Sequence, residues 1–124
     1  MANTIAITAS VVATLGNFRD TFSPGTLSIT PVAVGAHCPM VTVGTSEEDL
    51  DVGDVGASTQ GYAVLQNLDA ANYVTYGPKS SGAMVAMGRL KAGEIAVLRL
   101  EPSAVLRWIA NTAPVKVSVR VYAA

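Results

Sequence analysis

Apolar and polar residues alternate along most of this chain with a period of two, the pattern of β-strands that bury one face. The clearest case is residues 115–122, in which four valines alternate with Lys, Ser, Arg and Tyr. Similar alternation or a short apolar run predicts further strands at residues 4–11, 17–23, 26–30, 41–43, 61–66, 73–76, 83–90 and 95–100. Residues 105–110 fit either a strand or one helical turn. Helical periodicity is absent from every segment, so the pattern predicts an all-β chain.

Turn residues separate these predicted strands at a spacing of roughly eight to twelve residues. Pro24-Gly25 predicts a tight turn, and Pro31 predicts a bend or an edge before a continuation at residues 32–34. The acidic segment 45–56 is the longest predicted loop. Eight or nine short strands spaced in this way favour an antiparallel β-sandwich with jelly-roll or Greek-key topology. We predict that residues 1–124 form one domain of this kind.

Formal charge is missing from the first third of the chain. Residues 1–46 carry only Arg19 and Asp20, although a free domain normally keeps charges of both signs over its whole surface. An uncharged stretch rich in Val, Ile and Thr indicates a surface that another subunit covers. We therefore predict that residues 1–15 form an assembly arm or an edge strand. The interface residues predicted on this arm are Ile5, Ile7 and Val11.

The remaining charges are unevenly divided between the two halves of the chain. Residues 1–60 hold one basic and six acidic residues, whereas residues 61–124 hold seven basic and three acidic residues. If the fold keeps them apart, a protomer with two such ends attracts a copy of itself or a neighbour. The other interpretation is that the charges mix in the fold. A basic face is predicted from Arg89, Lys91, Arg99, Arg107, Lys116 and Arg120. Of these, Arg89, Arg99 and Arg107 are predicted interface residues, together with Trp108 as a core or interface anchor.

The residues that could carry chemistry are few. His37 and Cys38 are the sole histidine and cysteine, and neighbours in an extended segment point to opposite faces, so they make a poor catalytic pair. The carboxylates of residues 47–54 have the oxygen ligands that Ca²⁺ prefers, but they lack the later bidentate Glu of an EF-hand loop. A solvated acidic loop and a calcium loop both remain open. We predict no enzyme activity, no catalytic residue, no metal site and no cofactor.

Composition also bears on partners. Charged residues make up 14% of the chain and its net charge is −1, so bulk electrostatics favour neither nucleic acid nor an acidic membrane as a partner. The aromatic residues do not interleave with a basic run, as single-stranded nucleic-acid binding would require. A single cysteine allows no disulfide within the chain. No apolar run is long enough for a membrane-spanning helix.

One segment of the chain has a recognisable pattern. Residues 61–102 read GYAVLQNLDAANYVTYGPKSSGAMVAMGRLKAGEIAVLRLEP, with N-L-D-x-x-N-Y-V at the first turn and L-K-x-G-E-x-x-x-L-R-L at the second. This pattern resembles one found in small β-sandwich virion proteins of tailed bacteriophages, of the capsid decoration or cement type. The resemblance implies a structural role without catalytic residues. It also implies that Asn67, Asp69 and Asn72 shape one turn and Gly93 the other, with Leu98 and Leu100 in the core.

The resemblance and the composition together lead to three functional hypotheses. The first is a non-enzymatic capsid decoration or cement protein in the virion, assembled in the host cytoplasm. It would contact the major capsid protein, copies of itself or both, as a homo-oligomer. The second is a phage tail or neck component; tail-tube subunits usually add a helix and a long hairpin, neither of which the pattern predicts. The third is a glycan- or surface-binding β-sandwich module, which would require a row of exposed aromatic residues or a calcium site.

Overall fold

The computed structural model describes residues 4–31, 35–56 and 58–124. The chain divides into two compact units, Met1–Pro31 and Val32–Ala124. All strand pairs in both units are antiparallel. The predicted continuation at residues 32–34 lies outside the described residues.

The first unit is a long two-stranded hairpin. Strand β1 (Ile5–Leu15) pairs with β2 (Phe18–Ile29) around a two-residue turn in which Gly16 has a φ of 58°. Glycine adopts this conformation without the steric cost that a side chain would add. The prediction of a tight turn at Pro24-Gly25 is wrong, because both residues lie inside β2.

The second unit contains ten strands in its described residues. They are β3 (Ala36–His37), β4 (Met40–Val43), β5 (Glu48–Asp49), β6 (Gln60–Asn67), β7 (Val74–Ser80), β8 (Ala83–Met84), β9 (Gly88–Leu90), β10 (Ile95–Arg99), β11 (Leu106–Ala110) and β12 (Val115–Ala123). The acidic segment 45–56 predicted as a loop contains β5 and a 3₁₀ turn, Gly53–Val55.

These strands form two sheets with jelly-roll topology. The first sheet has the order β4-β12-β6-β10, with β3 also pairing with β12. The second has the order β5-β11-β7-β9, with β8 also pairing with β7. With the two-residue β3 and β8 set aside, eight strands remain. The first pairs with the eighth, the second with the seventh, the third with the sixth and the fourth with the fifth. This is the strand order of a jelly roll, so the all-β sandwich prediction is confirmed.

The core follows from the alternation that the sequence shows most clearly. In β12 the residues Val115, Val117, Val119 and Val121 are buried, and Lys116 and Arg120 between them are exposed. Other buried apolar side chains complete the core: Val43, Leu50, Val55, Ala63, Leu65, Val74, Leu90, Leu100, Trp108, Ala110 and Ala123. Valine is stiff at χ1 and packs well on a pleated surface, which explains its frequency here.

Three strand predictions need correction or completion. The described residues form twelve strands rather than eight or nine, since three of the strands are only two residues long. The single strand predicted at residues 83–90 is split into β8 and β9. Between them, Val85 and Met87 donate backbone hydrogen bonds to the carbonyls of Pro78 and Tyr76. Gly77 permits this approach, because a Cβ atom there would collide with the backbone of Val85. The ambiguous residues 105–110 contain strand β11.

Candidate assembly interface

The hairpin has one apolar and one polar face. The cross-strand pairs on the apolar face are Ile5–Ile29, Ile7–Leu27, Ala9–Gly25, Val11–Phe22, Ala13–Asp20 and Leu15–Phe18. Those on the polar face are Ala6–Ser28, Thr8–Thr26, Val12–Thr21 and Thr14–Arg19. Cross-strand partners share a face of the ribbon, so this division follows from the register. On the polar face the Thr8 and Thr26 hydroxyl groups are hydrogen-bonded over 2.8 Å.

A β-bulge brings the bulky residues of β2 onto one face. Ser23 and Pro24 of β2 lie opposite the single residue Ser10 of β1, where the register shifts. An extra residue reverses the alternation, so Phe22 before the bulge and Leu27 after it lie on the same side. Proline is tolerated at a bulge because that position needs no ladder hydrogen bond from its nitrogen.

Most of the apolar face is exposed. Val11 is 54% exposed, Phe18 61%, Phe22 60% and Leu15 81%. Ile5 and Ile7 are half-buried. A two-stranded ribbon is marginally stable by itself in water, and contiguous exposed apolar surface marks a contact site. The predicted residues Ile5, Ile7 and Val11 therefore share this face.

The sequence interpretation missed the other bulky residues of this face. Phe18, Phe22 and Leu27 are not among the predicted interface residues, because a turn at Pro24-Gly25 places them in two separate short strands. Leu15 is not among them because the first predicted strand ends at residue 11. The signal was the proline itself, which within a strand indicates a bulge. Phe18 and Phe22 at even positions and Leu27 at an odd position then fall on one face.

The outer face of the first sheet is a second candidate surface. Three neighbouring strands place their side chains there in rows: Ile95–Gln66–Ser118, Val97–Val64–Arg120 and Arg99–Tyr62–Tyr122. The Arg99 guanidinium lies 5.0 Å from the Tyr62 ring centroid. Hydrogen bonding to Tyr122, with a smaller contribution from Cys38, raises the pKa of Arg120. Together with Lys116 these rows are basic, and none of the described residues in them is acidic.

The predicted basic residues do not form one face. Arg99, Lys116 and Arg120 lie on the outer face of the first sheet, whereas Arg89 and Arg107 lie on the outer face of the second. Arg89 lies over the Tyr73 ring, 4.0 Å from its centroid. The prediction of a single basic face is therefore wrong, because β9 and β11 belong to the second sheet whereas β10 and β12 belong to the first.

Arg107 joins the acidic loop to the second sheet. Its Nε donates to Asp49 over 2.9 Å, and its Nη1 donates to Glu47 over 3.3 Å and to the Gly82 carbonyl over 2.9 Å. Hydrogen bonding to Asp49, and then to Glu47, raises the pKa of Arg107. Glu47 also accepts a hydrogen bond from the Met84 backbone nitrogen. At this site the acidic first half and the basic second half of the chain mix.

Trp108 lies in the core and not at a surface. It is 2% exposed on β11, and it packs in the buried apolar cluster between the sheets. Its predicted role as an interface anchor does not fit this burial, whereas the alternative role as a core anchor does. Within the described residues its indole N–H has no hydrogen-bond acceptor.

His37 and Cys38 are not arranged as a reactive pair. The His37 ring packs against the backbone of Gly53, where a Cβ atom would collide with it, and Cys38 is exposed. Among the described residues no group of three or more His, Cys, Asp or Glu side chains is placed to hold a metal ion. Asp51 accepts a hydrogen bond from the Gly53 backbone nitrogen, as in an ordinary Asx turn.

The turn at residues 67–72 is built as the resemblance implied. The Asn67 amide donates to the Asn72 carbonyl over 2.9 Å, and its Oδ1 accepts from the Asp69 nitrogen over 2.8 Å. Asp69 Oδ2 accepts hydrogen bonds from the backbone nitrogens of Asn72 and Ala71, which lower the pKa of its carboxyl. Gly93 has a φ of 79° in the second turn, Leu100 is buried, and Leu98 is only partly buried against the core.

Comparisons of this chain with protein-family models, with curated proteins and with solved structures give no match. In the part of the chain that the structure describes, no helix has the length and hydropathy needed to cross a membrane.

Proposed function

We propose that this protein is a non-enzymatic virion structural protein, a capsid decoration or cement protein that binds and stabilises a phage head shell. The observation that carries the proposal is the exposed apolar face of the hairpin, which needs a partner to become buried. The resemblance of residues 61–102 to small phage virion proteins supplies the biological setting. A jelly roll is a fold used in viral capsids.

The proposal assigns a different contact to each of two surfaces. The hairpin acts as the arm that links neighbouring subunits, since its apolar face offers area that can be buried and carries almost no charge. The outer face of the first sheet contacts the shell. Its Arg and Tyr side chains are types enriched at protein interfaces, and its charge suits an acidic partner surface.

Binding to undecorated shells tests this proposal. Shells of the encoding phage that lack this protein are mixed with the purified chain and sedimented, and their resistance to heat is then measured. We expect saturable binding and shells that rupture at a higher temperature. Absence of binding would refute the decoration role.

A pair of charge reversals tests which face contacts the shell. Arg120→Glu on the outer face of the first sheet should weaken shell binding and make the remaining binding less dependent on salt. Arg89→Glu on the outer face of the second sheet is the matched control and should bind as the unaltered chain does. Equal effects of the two substitutions would show that the outer face of the first sheet does not contact the shell.

A tail or neck component is the second candidate, and the length of the hairpin favours it. Twelve residues of β2 pair with eleven of β1, so the structure contains the long hairpin that the sequence pattern did not predict. The helix expected of a tail-tube subunit is missing from the described residues, whose one helical segment is Gly53–Val55. Binding to purified tails instead of shells would favour this candidate.

The third hypothesis, a glycan- or surface-binding module, gains less support. Tyr62 and Tyr73 each lie beneath an arginine rather than in an open row. The carboxylates of Glu47 and Asp49 are bonded to Arg107.

A further inference from the structure

The apolar face of the hairpin has a hollow next to a bulky pair. Ala9 and Gly25 form the smallest cross-strand pair of this face, and a hollow of about 360 Å³ lies over them. A Cβ atom added at Gly25 would meet nothing within 4 Å, so the space is open. The next pair toward the turn is Val11–Phe22, whose side chains are both more than half exposed.

Each cross-strand pair of the apolar face has a counterpart equally far from Ser10 on the other side of the bulge. A two-fold axis that lies in the plane of the face and crosses the ribbon at Ser10 brings each pair over the pair equally far on the other side. Val11–Phe22 of one copy then covers Ala9–Gly25 of the other. Ile7–Leu27 covers Ala13–Asp20, and Ile5–Ile29 covers Leu15–Phe18. At the level nearest the axis a bulky pair therefore meets a small one, as interdigitated packing requires, whereas at the next level the Asp20 carboxylate faces Leu27 and has to stay solvated at the edge of the ribbon.

We propose that the hairpin's partner is a second copy of this chain, whose hairpin packs face to face and antiparallel on the first, with Phe22 of each copy over Gly25 of the other. This inference rests on the assembly role proposed above and identifies what the arm binds. The low charge of the apolar face agrees with a second copy as the partner. Its single formal charge is Asp20, so a strongly acidic or basic partner would gain little from it.

The available area is adequate for a modest dimer. Strands of eleven residues are about 37 Å long at the usual rise per residue. Phe18 and Phe22 are 61% and 60% exposed, so each can still bury about 90–150 Å² of the area of an aromatic side chain. The two phenylalanines therefore supply roughly a quarter to a third of the ~800 Å² per partner in a standard interface. Leu15, Val11 and Leu27 are each more than half exposed and add further apolar area.

Two adjacent valines provide a matched pair of variants. Val11 is 54% exposed on the apolar face and Val12 is 57% exposed on the polar face. Sedimentation velocity of the full chain, without any shell, measures the monomer–dimer equilibrium over a hundredfold concentration range. We expect the unaltered chain to dimerise, Val11→Lys to weaken the dimer by about tenfold or more, and Val12→Lys to change it by less than about twofold.

The register is tested by filling the hollow. Ala9→Leu should weaken the dimer, because the new side chain meets Val11 of the partner copy. The double variant Ala9→Leu with Val11→Ala moves the bulky side chain to position 9 and the small one to position 11. The two copies then fit together again, so dimerisation should be restored. Fluorescence of Trp108, the sole tryptophan, reports in every variant that the second unit remains folded.

The proposal fails if the unaltered chain stays monomeric over the whole range, if the two valine variants behave alike, or if the double variant associates no better than Ala9→Leu. If the dimer is refuted in this way, the decoration role is still tested separately by shell binding. Conversely, a chain that dimerises as expected but does not bind shells would refute the decoration role and retain the dimer.

Discussion

The side-chain amide of Asn67 donates a hydrogen bond to the carbonyl oxygen of Leu90 over 3.0 Å and so joins the two sheets of the jelly roll. Asn67 ends β6 in the first sheet and is fully buried, while Leu90 ends β9 in the second. The backbone of Asn67 adds bonds to Glu94 and Gly93 in the turn before β10. The Asn67 side chain thus stabilises the turn at residues 67–72 and links the first sheet to the second.

Substitution of Asn67 should be costly. Asn67→Leu keeps the approximate volume but leaves the carbonyls of Leu90 and Asn72 without their donor. Since each buried unpaired polar group costs about 1–3 kcal/mol, we expect a loss of about 3 kcal/mol in the free energy of unfolding, measured with urea. Gln66→Leu is the control on the exposed face of the same strand, and it should change stability by less than about 0.5 kcal/mol. Equal losses for the two variants would contradict the role of Asn67.

Trp108 should tolerate loss of its N–H better than loss of its volume. Trp108→Phe removes a buried donor that has no acceptor within the described residues and retains an aromatic ring, so we expect a loss below about 1.5 kcal/mol. Trp108→Ala creates a large cavity and should cost about 3–5 kcal/mol. Circular dichroism during urea unfolding measures both variants. A Phe variant as unstable as the Ala variant would show that the indole N–H is satisfied.

The Asp69 carboxylate should contribute stability that depends on pH. Backbone hydrogen bonds from Asn72 and Ala71 lower its pKa from the ordinary value of 3.8. Because the folded-state pKa is the lower one, the contribution is fully present above 3.8 and is lost as the pH falls through the folded value. Asp69→Asn should therefore be less stable than the unaltered chain at pH 6, and the difference should shrink below pH 3.8. A difference that is constant with pH would contradict this explanation.

Calcium should leave the protein unchanged. The Glu47 and Asp49 carboxylates are bonded to Arg107, and Asp49 also lies 3.8 Å from the Lys79 ammonium. A cation would have to displace these partners. We expect the melting temperature to be the same in millimolar calcium and in excess chelator. A rise in melting temperature with calcium would show that the protein binds calcium, and it would support the surface-binding hypothesis.

Local alternation predicted the fold well, because one buried face leaves a period of two in each strand. The pattern at residues 115–122 identified the inner and outer residues of β12 correctly. It failed where the structure depends on pairing between strands. The bulge at Ser23 and Pro24 is defined by Ser10 on the other strand, and the sequence alone gives no register.

The candidate site was predicted only in part for the same reason. Ile5, Ile7 and Val11 share a face because they alternate within one strand, which local sequence reveals. Arg107 is paired with Asp49, 58 residues away, which no local pattern reveals. The assignment of each arginine to one sheet or the other depends on the strand order of the jelly roll.

Quantitative mass spectrometry of purified particles, with heads and tails separated, tests the central claim most directly. The chain and the major shell protein are measured together in each fraction. The decoration role predicts that the chain accompanies the heads in a fixed ratio to the shell protein. Its presence in tails alone, or its absence from the particles, would contradict that role.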